Sequence, residues 1–93
     1  MTMIVKDPDS RIDFEFDWAG ACPDGQAMAA SGWTVAPDEA GGVTVEAAWH
    51  GLAHAAVTLA GGVAGHAYRV TNRVTMSDGQ IDERSMTVRV EER

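Results

Sequence analysis

The residues of this chain that could do chemistry are its three histidines, its single cysteine, four serines and a set of carboxylates. His50 and His54 stand four apart, the spacing that holds a metal on one helix face in zinc peptidases. The glutamate of that motif is missing, Gly51 interrupts a helix, and the flanks alternate as strands do, so two loop histidines are expected. His66 follows Gly65 with no nucleophile nearby to activate. Ser10, Ser31, Ser77 and Ser85 lie outside any strand–elbow–helix context. Gly61-Gly62-x-x-Gly65 has no lysine after it and opens no helix, so it reads as a turn and not as a phosphate cradle. Asp78, Asp82 and Glu83 lack the regular ligand spacing of a calcium loop and read as solvated carboxylates around a hairpin. Cys22, before Pro23, cannot form a disulfide within the chain and is expected to be a small packing residue. No catalytic residue, metal ligand set or cofactor site is therefore expected, and an enzyme is the least supported class.

Other residues promise contact instead of catalysis. Asp13, Glu15 and Asp17 recur with period two, which sets three mutually repelling carboxylates on one face of a strand. Such a face is either solvated or meets a basic surface. That surface would be Arg69 and Arg73 on a strand of the same sheet, or a patch on another subunit. Of the three tryptophans, Trp18 is expected in the core. Trp33 and Trp49 are candidates for a docking surface, because tryptophan is favoured at interface hot spots. Asn72 falls in the inward phase of a strand, where an amide needs hydrogen-bond partners. Arg84 lies near an inward phase beside Asp82 and Glu83, which suggests a bulge or a small paired polar cluster. Tyr68 opens the penultimate strand and suits a tyrosine corner, whose hydroxyl bonds back to upstream backbone.

The elements that would position these residues are strands. Ile12, Phe14, Phe16 and Trp18 alternate strictly with charged residues over Arg11–Trp18. A softer strand runs from Gln26 to Val35. Val43, Val45, Ala47 and Trp49 share one face of the next, and a short strand spans Ala55–Ala60. Over Ala67–Met76, residues Tyr68, Val70, Asn72, Val74 and Met76 face one way. Asp78-Gly79 makes a hairpin turn into a last strand from Ile81 to Glu91, with Met86, Val88 and Val90 inward. Gly20–Gly25, Ala36–Gly42 and Gly61–Gly65 read as turns. The spacing predicts an all-β, antiparallel sandwich or small barrel of six to seven strands over residues 11–93, after an N-terminal lead-in over residues 1–10, and a tyrosine corner at Tyr68 would make the sandwich immunoglobulin-like.

Ninety-three residues make one domain at most, and 45% hydrophobic content is ordinary for a globular chain. The net charge of −7 is repelled by phosphate backbones and anionic lipid, which argues against nucleic-acid and membrane partners. Met1–Ser10 lacks a signal-peptide pattern and no window is apolar enough to span a bilayer, so synthesis as a soluble protein in the cytoplasm is expected.

Four segments carry a wider likeness: Asp7-Pro8-Asp9-Ser10-Arg11-Ile12-Asp13-Phe14-Glu15-Phe16-Asp17-Trp18, Ser31-Gly32-Trp33-Thr34-Val35, the run from Gly61 to Val74, and Asp82-Glu83-Arg84-Ser85. Over nearly the whole chain they resemble a family of small tailed-bacteriophage virion proteins of the fibre–tail adaptor type. The resemblance implies an immunoglobulin-like fold and a place in the virion at the neck or tail. It implies docking onto other tail or neck proteins, with copies of the chain in a symmetric ring, and no catalytic residues. The chain departs from the family where Ala19-Gly20-Ala21-Cys22-Pro23 replaces a longer apolar segment and where Ala47–Ala56 is alanine-rich instead of threonine-rich. Two other classes fit the composition. An adhesion or carbohydrate-binding module would use Trp49 as a platform. A free acidic inhibitor would mimic DNA charge, a pattern that Arg69, Arg73, Arg84 and Arg89 interrupt.

Overall fold

The alternating segments do become strands, and their apolar phases face each other across two sheets. A computed structural model of the protein describes residues 2–21 and 27–92. Cys22, and most of the turn expected over Gly20–Gly25, lie outside the described residues. The strands are β1 (Thr2–Lys6), β2 (Ile12–Asp17), β3 (Met28–Ala36), β4 (Val43–His50), β5 (His54–Gly61), β6 (Ala67–Met76) and β7 (Ile81–Val90). A 3-10 turn covers Ala19–Ala21. One sheet has the order β1-β7-β6-β3 and the other β2-β5-β4. The fold is an all-β sandwich of seven strands.

The strongest periodicities translate directly. In β6 and β7, Tyr68, Val70, Asn72, Val74, Met76, Met86, Val88 and Val90 are all buried, and no bulge interrupts their pairing from Ala67↔Arg89 to Thr75↔Ile81. Across the sandwich they meet Phe16, Trp18, Val57 and Leu59. Each such apolar side chain removed from water contributes roughly 1.5–3 kcal/mol before entropy is counted. The hairpin between β6 and β7 is the expected Asp-Gly turn. Gly79 takes φ +91°, its N–H donates to the Met76 carbonyl, and Gln80 N–H donates to Asp78 Oδ1. At the end of β5 the backbone must be glycine for a second reason. A Cβ on Gly61 would lie 2.7 Å from the Gly42 carbonyl oxygen, and one on Gly62 would lie 2.6 Å from Val90 Cγ2.

Four expectations are corrected. First, the residues Thr2–Lys6, read as part of a lead-in, form β1 and pair in parallel with β7, so the sandwich is not wholly antiparallel. Second, the pairing of β4 with β5 shifts by one residue between Val45 and Ala47. Val43 and Val45 stand opposite Gly61 and Leu59 in the inward phase, but Ala47 and Trp49 stand opposite Thr58 and Ala56 in the outward phase. A bulge supplies one extra residue, and with a side-chain period of two that residue turns the rest of the strand over. Third, Arg69 and Arg73 belong to β6 in the other sheet, so they cannot neutralise the carboxylates of β2 within one sheet. Fourth, no bulge surrounds Arg84, which pairs in register with Asn72.

Candidate functional site

The bulge decides what the outer face of the three-strand sheet carries. Asp13, Glu15 and Asp17 of β2 are exposed there. Across β5 they stand opposite Thr58, Ala56 and His54. On the far side of β5, Ala47 and Trp49 of β4 stand opposite Thr58 and Ala56. The face thus reads Asp13–Thr58–Ala47 in one cross-strand row and Glu15–Ala56–Trp49 in the next. Ala56 faces outward yet is only 2% exposed, whereas Trp49 is 49% exposed. The face presents one exposed aromatic side chain on the same side of the sheet as three carboxylates. Local bonds hold the rim. Thr58 Oγ1 donates to Asp13 Oδ1 at 2.7 Å, Ala19 N–H donates to Asp17 Oδ1 at 2.9 Å, and Arg11 forms an ion pair with Glu46 at the bulge.

Trp33 does not join this surface. Its position on β3 pairs with Asn72, it packs against the core, and its ring stacks on Phe16 at 5.7 Å with 6° between planes. The structure therefore brings together four of the five candidate contact residues and removes the fifth into the interior. The reason is strand phase: Trp33 shares a phase with Ser31 and Val35, all half-buried, while Gly32 and Thr34 face out.

The polar candidates form two built clusters. Asn72 is fully buried and every polar atom of its side chain is used. Its Oδ1 accepts from Trp18 Nε1 at 2.9 Å, and its Nδ2 donates to Ser31 Oγ and to the Gly32 carbonyl, each at 2.9 Å. Arg84 lies over the other side of Trp18, its guanidinium 4.3 Å from the ring centroid, and donates to the Asp17 carbonyl. These contacts tie β2 to β3, β6 and β7, so they join the two sheets without a disulfide. At the opposite end, Tyr68 Oη accepts from Val63 N–H at 3.0 Å, five residues upstream, which is the bond of a tyrosine corner. The same hydroxyl donates to Glu39 Oε1, which also accepts from His66 Nδ1 at 2.8 Å. The hydrogen bond from Tyr68, and then that from His66, hold the Glu39 carboxyl below its usual range. Burial, and then the hydrogen bond to Glu39, push the Tyr68 phenol up.

One cluster had no signal in the sequence. Lys6 is 1% exposed, and its ammonium donates to three backbone carbonyls, those of Asp7, Ser10 and Gly61. Burial pushes it below the usual lysine value, with Asp7 and Asp9 opposing. A lysine between Val5 and Asp7 reads locally as solvated, and nothing nearby announces a carbonyl 55 positions away.

His50 and His54 flank the β4–β5 hairpin, where Gly51 N–H donates to the His54 carbonyl. Among the described residues no three histidine, cysteine or carboxylate side chains converge as a metal would require. The outer face of the four-strand sheet carries an open depression lined in part by Ala36, Arg69, Glu83, Ser85 and Thr87. Nothing in it pairs a nucleophile with a base. Among the described residues, the outer face of the three-strand sheet joins an exposed aromatic ring to three carboxylates.

A family model described as podophage GP4 fiber-tail adaptor protein gp77 matches residues 6–89. No curated protein matches the chain.

Proposed function

The chain belongs to this family of podophage fibre–tail adaptors, and on that premise we propose that it is a structural component of the phage tail, without catalytic activity, that joins a fibre to the tail by protein–protein docking. The observation that carries the docking reading is the bulge at Glu46, which sets Trp49 on the same face as Asp13, Glu15 and Asp17. A fully solvated face gains nothing from a large aromatic side chain left half exposed. A face that meets a basic partner gains a hot-spot residue and a charge pattern that selects partner and register. The partner surface is accordingly basic, with an arginine or lysine placed to lie over the Trp49 ring.

Two further features follow from the same reading. The strand order, lettered along the chain, is B-E-D facing A-G-F-C. It differs only in the first strand from the ABED and CFG sheets of constant-type immunoglobulin domains, which supports an immunoglobulin-like assignment. The adaptor would occur in several copies set by the symmetry of the particle, in a ring at the tail or neck.

Quantitative mass spectrometry of purified particles tests the placement. A fixed ratio of this chain to the major tail proteins is expected. Its presence only in the cell lysate would overturn the adaptor reading and favour a free acidic inhibitor. Particles carrying Trp49→Ala, or Asp13→Asn with Glu15→Gln and Asp17→Asn, are expected to lose fibres while keeping the tail. Fibres retained at full number on both variants would rule out this face as the docking surface.

A further inference from the structure

The two outer faces of the sandwich carry ladders of opposite charge that cannot meet within one molecule. Asp13, Glu15 and Asp17 stand outward on β2, and Arg69, Thr71 and Arg73 stand outward on β6 of the other sheet. In each ladder the outer two charges are four residues apart, which is about 13 Å along a strand. Midway between them lies Glu15 on one face, and on the other the Thr71 hydroxyl, bonded to Ser85. Neither ladder is neutralised where it stands. Among the described residues Asp13, Glu15, Asp17 and Arg69 form no ion pair, and Arg73 reaches only Glu83, at 3.7 Å, with both side chains more than half exposed. Like charges so spaced on one strand favour a surface of opposite charge laid over them.

A second match lies two strands to the side. Beyond β2 come β5 and then β4, whose Trp49 is 49% exposed in the row of Glu15. Beyond β6 come β7 and then β1, whose Met3 is 60% exposed in the row of Thr87 and Arg69. On each face a distance of about 10 Å, two strand spacings, separates the charged ladder from an exposed apolar side chain. The strand between carries small side chains on both: Ala56 and Thr58 on β5, Ser85 and Thr87 on β7. Each ladder carries its outer charges symmetrically about its centre. One of the two ways of laying face on face therefore brings carboxylates to arginines and Trp49 over β1. There the ring meets a row that holds a thioether and a guanidinium, two groups that favour an aromatic face.

We propose that the basic surface meeting the acidic face is the outer face of the four-strand sheet of a second copy of this chain, with Asp13 and Asp17 of one copy paired to Arg69 and Arg73 of the next and Trp49 against Met3. The identity of the partner rests on the docking reading of the acidic face. Because the two faces lie on opposite sides of the sandwich, the contact is heterologous. Each copy keeps one face of either kind free, and copies add beyond two until the rotation between them closes a ring.

The test is sedimentation velocity of the whole chain at low salt, at protein concentrations up to about 1 mM. Species larger than a dimer are expected, and association should weaken at least about tenfold once salt shortens the screening length to about 3 Å. Arg69→Asp with Arg73→Asp should abolish association, and so should Asp13→Arg with Asp17→Arg. Mixing these two variants should restore it, because one carries two acidic faces and the other two basic ones. A chain that stays monomeric, an assembly that stops at a dimer, or variants that associate as the parent does would each overturn the proposal. So would a mixture that stays monomeric while both variants keep the parent's urea midpoint. A monomer in solution together with a fixed ratio in purified particles would overturn the self-contact and leave the adaptor reading standing. Assembly in solution together with absence from particles would overturn the adaptor reading and support the self-contact.

Discussion

Trp18, just past the end of β2, and Trp49, near the end of β4, are the same residue type beside the two outer strands of one three-strand sheet, and the molecule treats them oppositely. Trp18 is 0% exposed, its Nε1 bonded to Asn72 and its ring covered by Arg84. Trp49 is 49% exposed on the outer face of the three-strand sheet. A buried indole N–H without an acceptor costs free energy, as at Trp33, and the Asn72 cluster supplies one to Trp18 while using the amide's own donors elsewhere. The hydrogen bond from Trp18, just past the end of β2, to Asn72 of β6 joins the two sheets. The difference separates a frame that holds the sheets together from a surface with no part in doing so.

The largest expected effect breaks the frame. Asn72→Ala leaves the Trp18 N–H and the Ser31 hydroxyl without their buried partner. It should cost about 3 kcal/mol, read as a lower urea midpoint with an unchanged slope. A loss within about 0.5 kcal/mol would show that the sheets are held by apolar packing alone.

A smaller effect is expected at the far end of the frame. Tyr68→Phe removes the acceptor of the Val63 N–H and should cost about 1 kcal/mol in the same assay. The Tyr68–Glu39–His66 network also makes stability depend on pH. Glu39 ionises more readily in the folded chain, so its contribution is full above its ordinary value of 4.5 and is lost as pH falls below that through the folded value. Tyr68 holds its proton more tightly in the folded chain, so its contribution is full below pH 10.0 and is lost as pH rises above that through the folded value. Glu39→Gln should flatten the acid limb of a stability–pH curve, and Tyr68→Phe the alkaline limb. Limbs unchanged by both substitutions would separate the network from the pH response.

The smallest effect on folding is expected where the effect on docking is greatest. Trp49→Ala, and the triple replacement of Asp13, Glu15 and Asp17 by their amides, should each change the unfolding free energy by less than about 0.5 kcal/mol. A loss above about 2 kcal/mol for Trp49→Ala would sharpen the comparison the other way, by making Trp49 part of the frame.

Much of this architecture is legible along the chain because strand periodicity is a local property. The alternation in Arg11–Trp18, Ala67–Met76 and Ile81–Glu91 fixes which side chains go inward, Asn72 and Tyr68 included, and Asp78-Gly79 fixes the hairpin that joins the last two. The net charge and the absence of a nucleophile–base pairing in sequence are equally a matter of residue types alone.

What the tertiary structure decides is everything that depends on partners far away in the chain. Phase survives only until a bulge, and the one at Glu46 shows itself only against β5, so Trp49 reads as a neighbour of Val45 until the pairing is known. Arg69 and Arg73 read as available to the carboxylates of β2 until the strands are sorted into sheets. β1 has a place only beside β7, some eighty positions on, and Lys6 finds Gly61 only after that docking. Side-chain alternation is set by bonds between adjacent residues, whereas register, sheet membership and a buried charge are set by contacts that exist only once the chain has closed on itself.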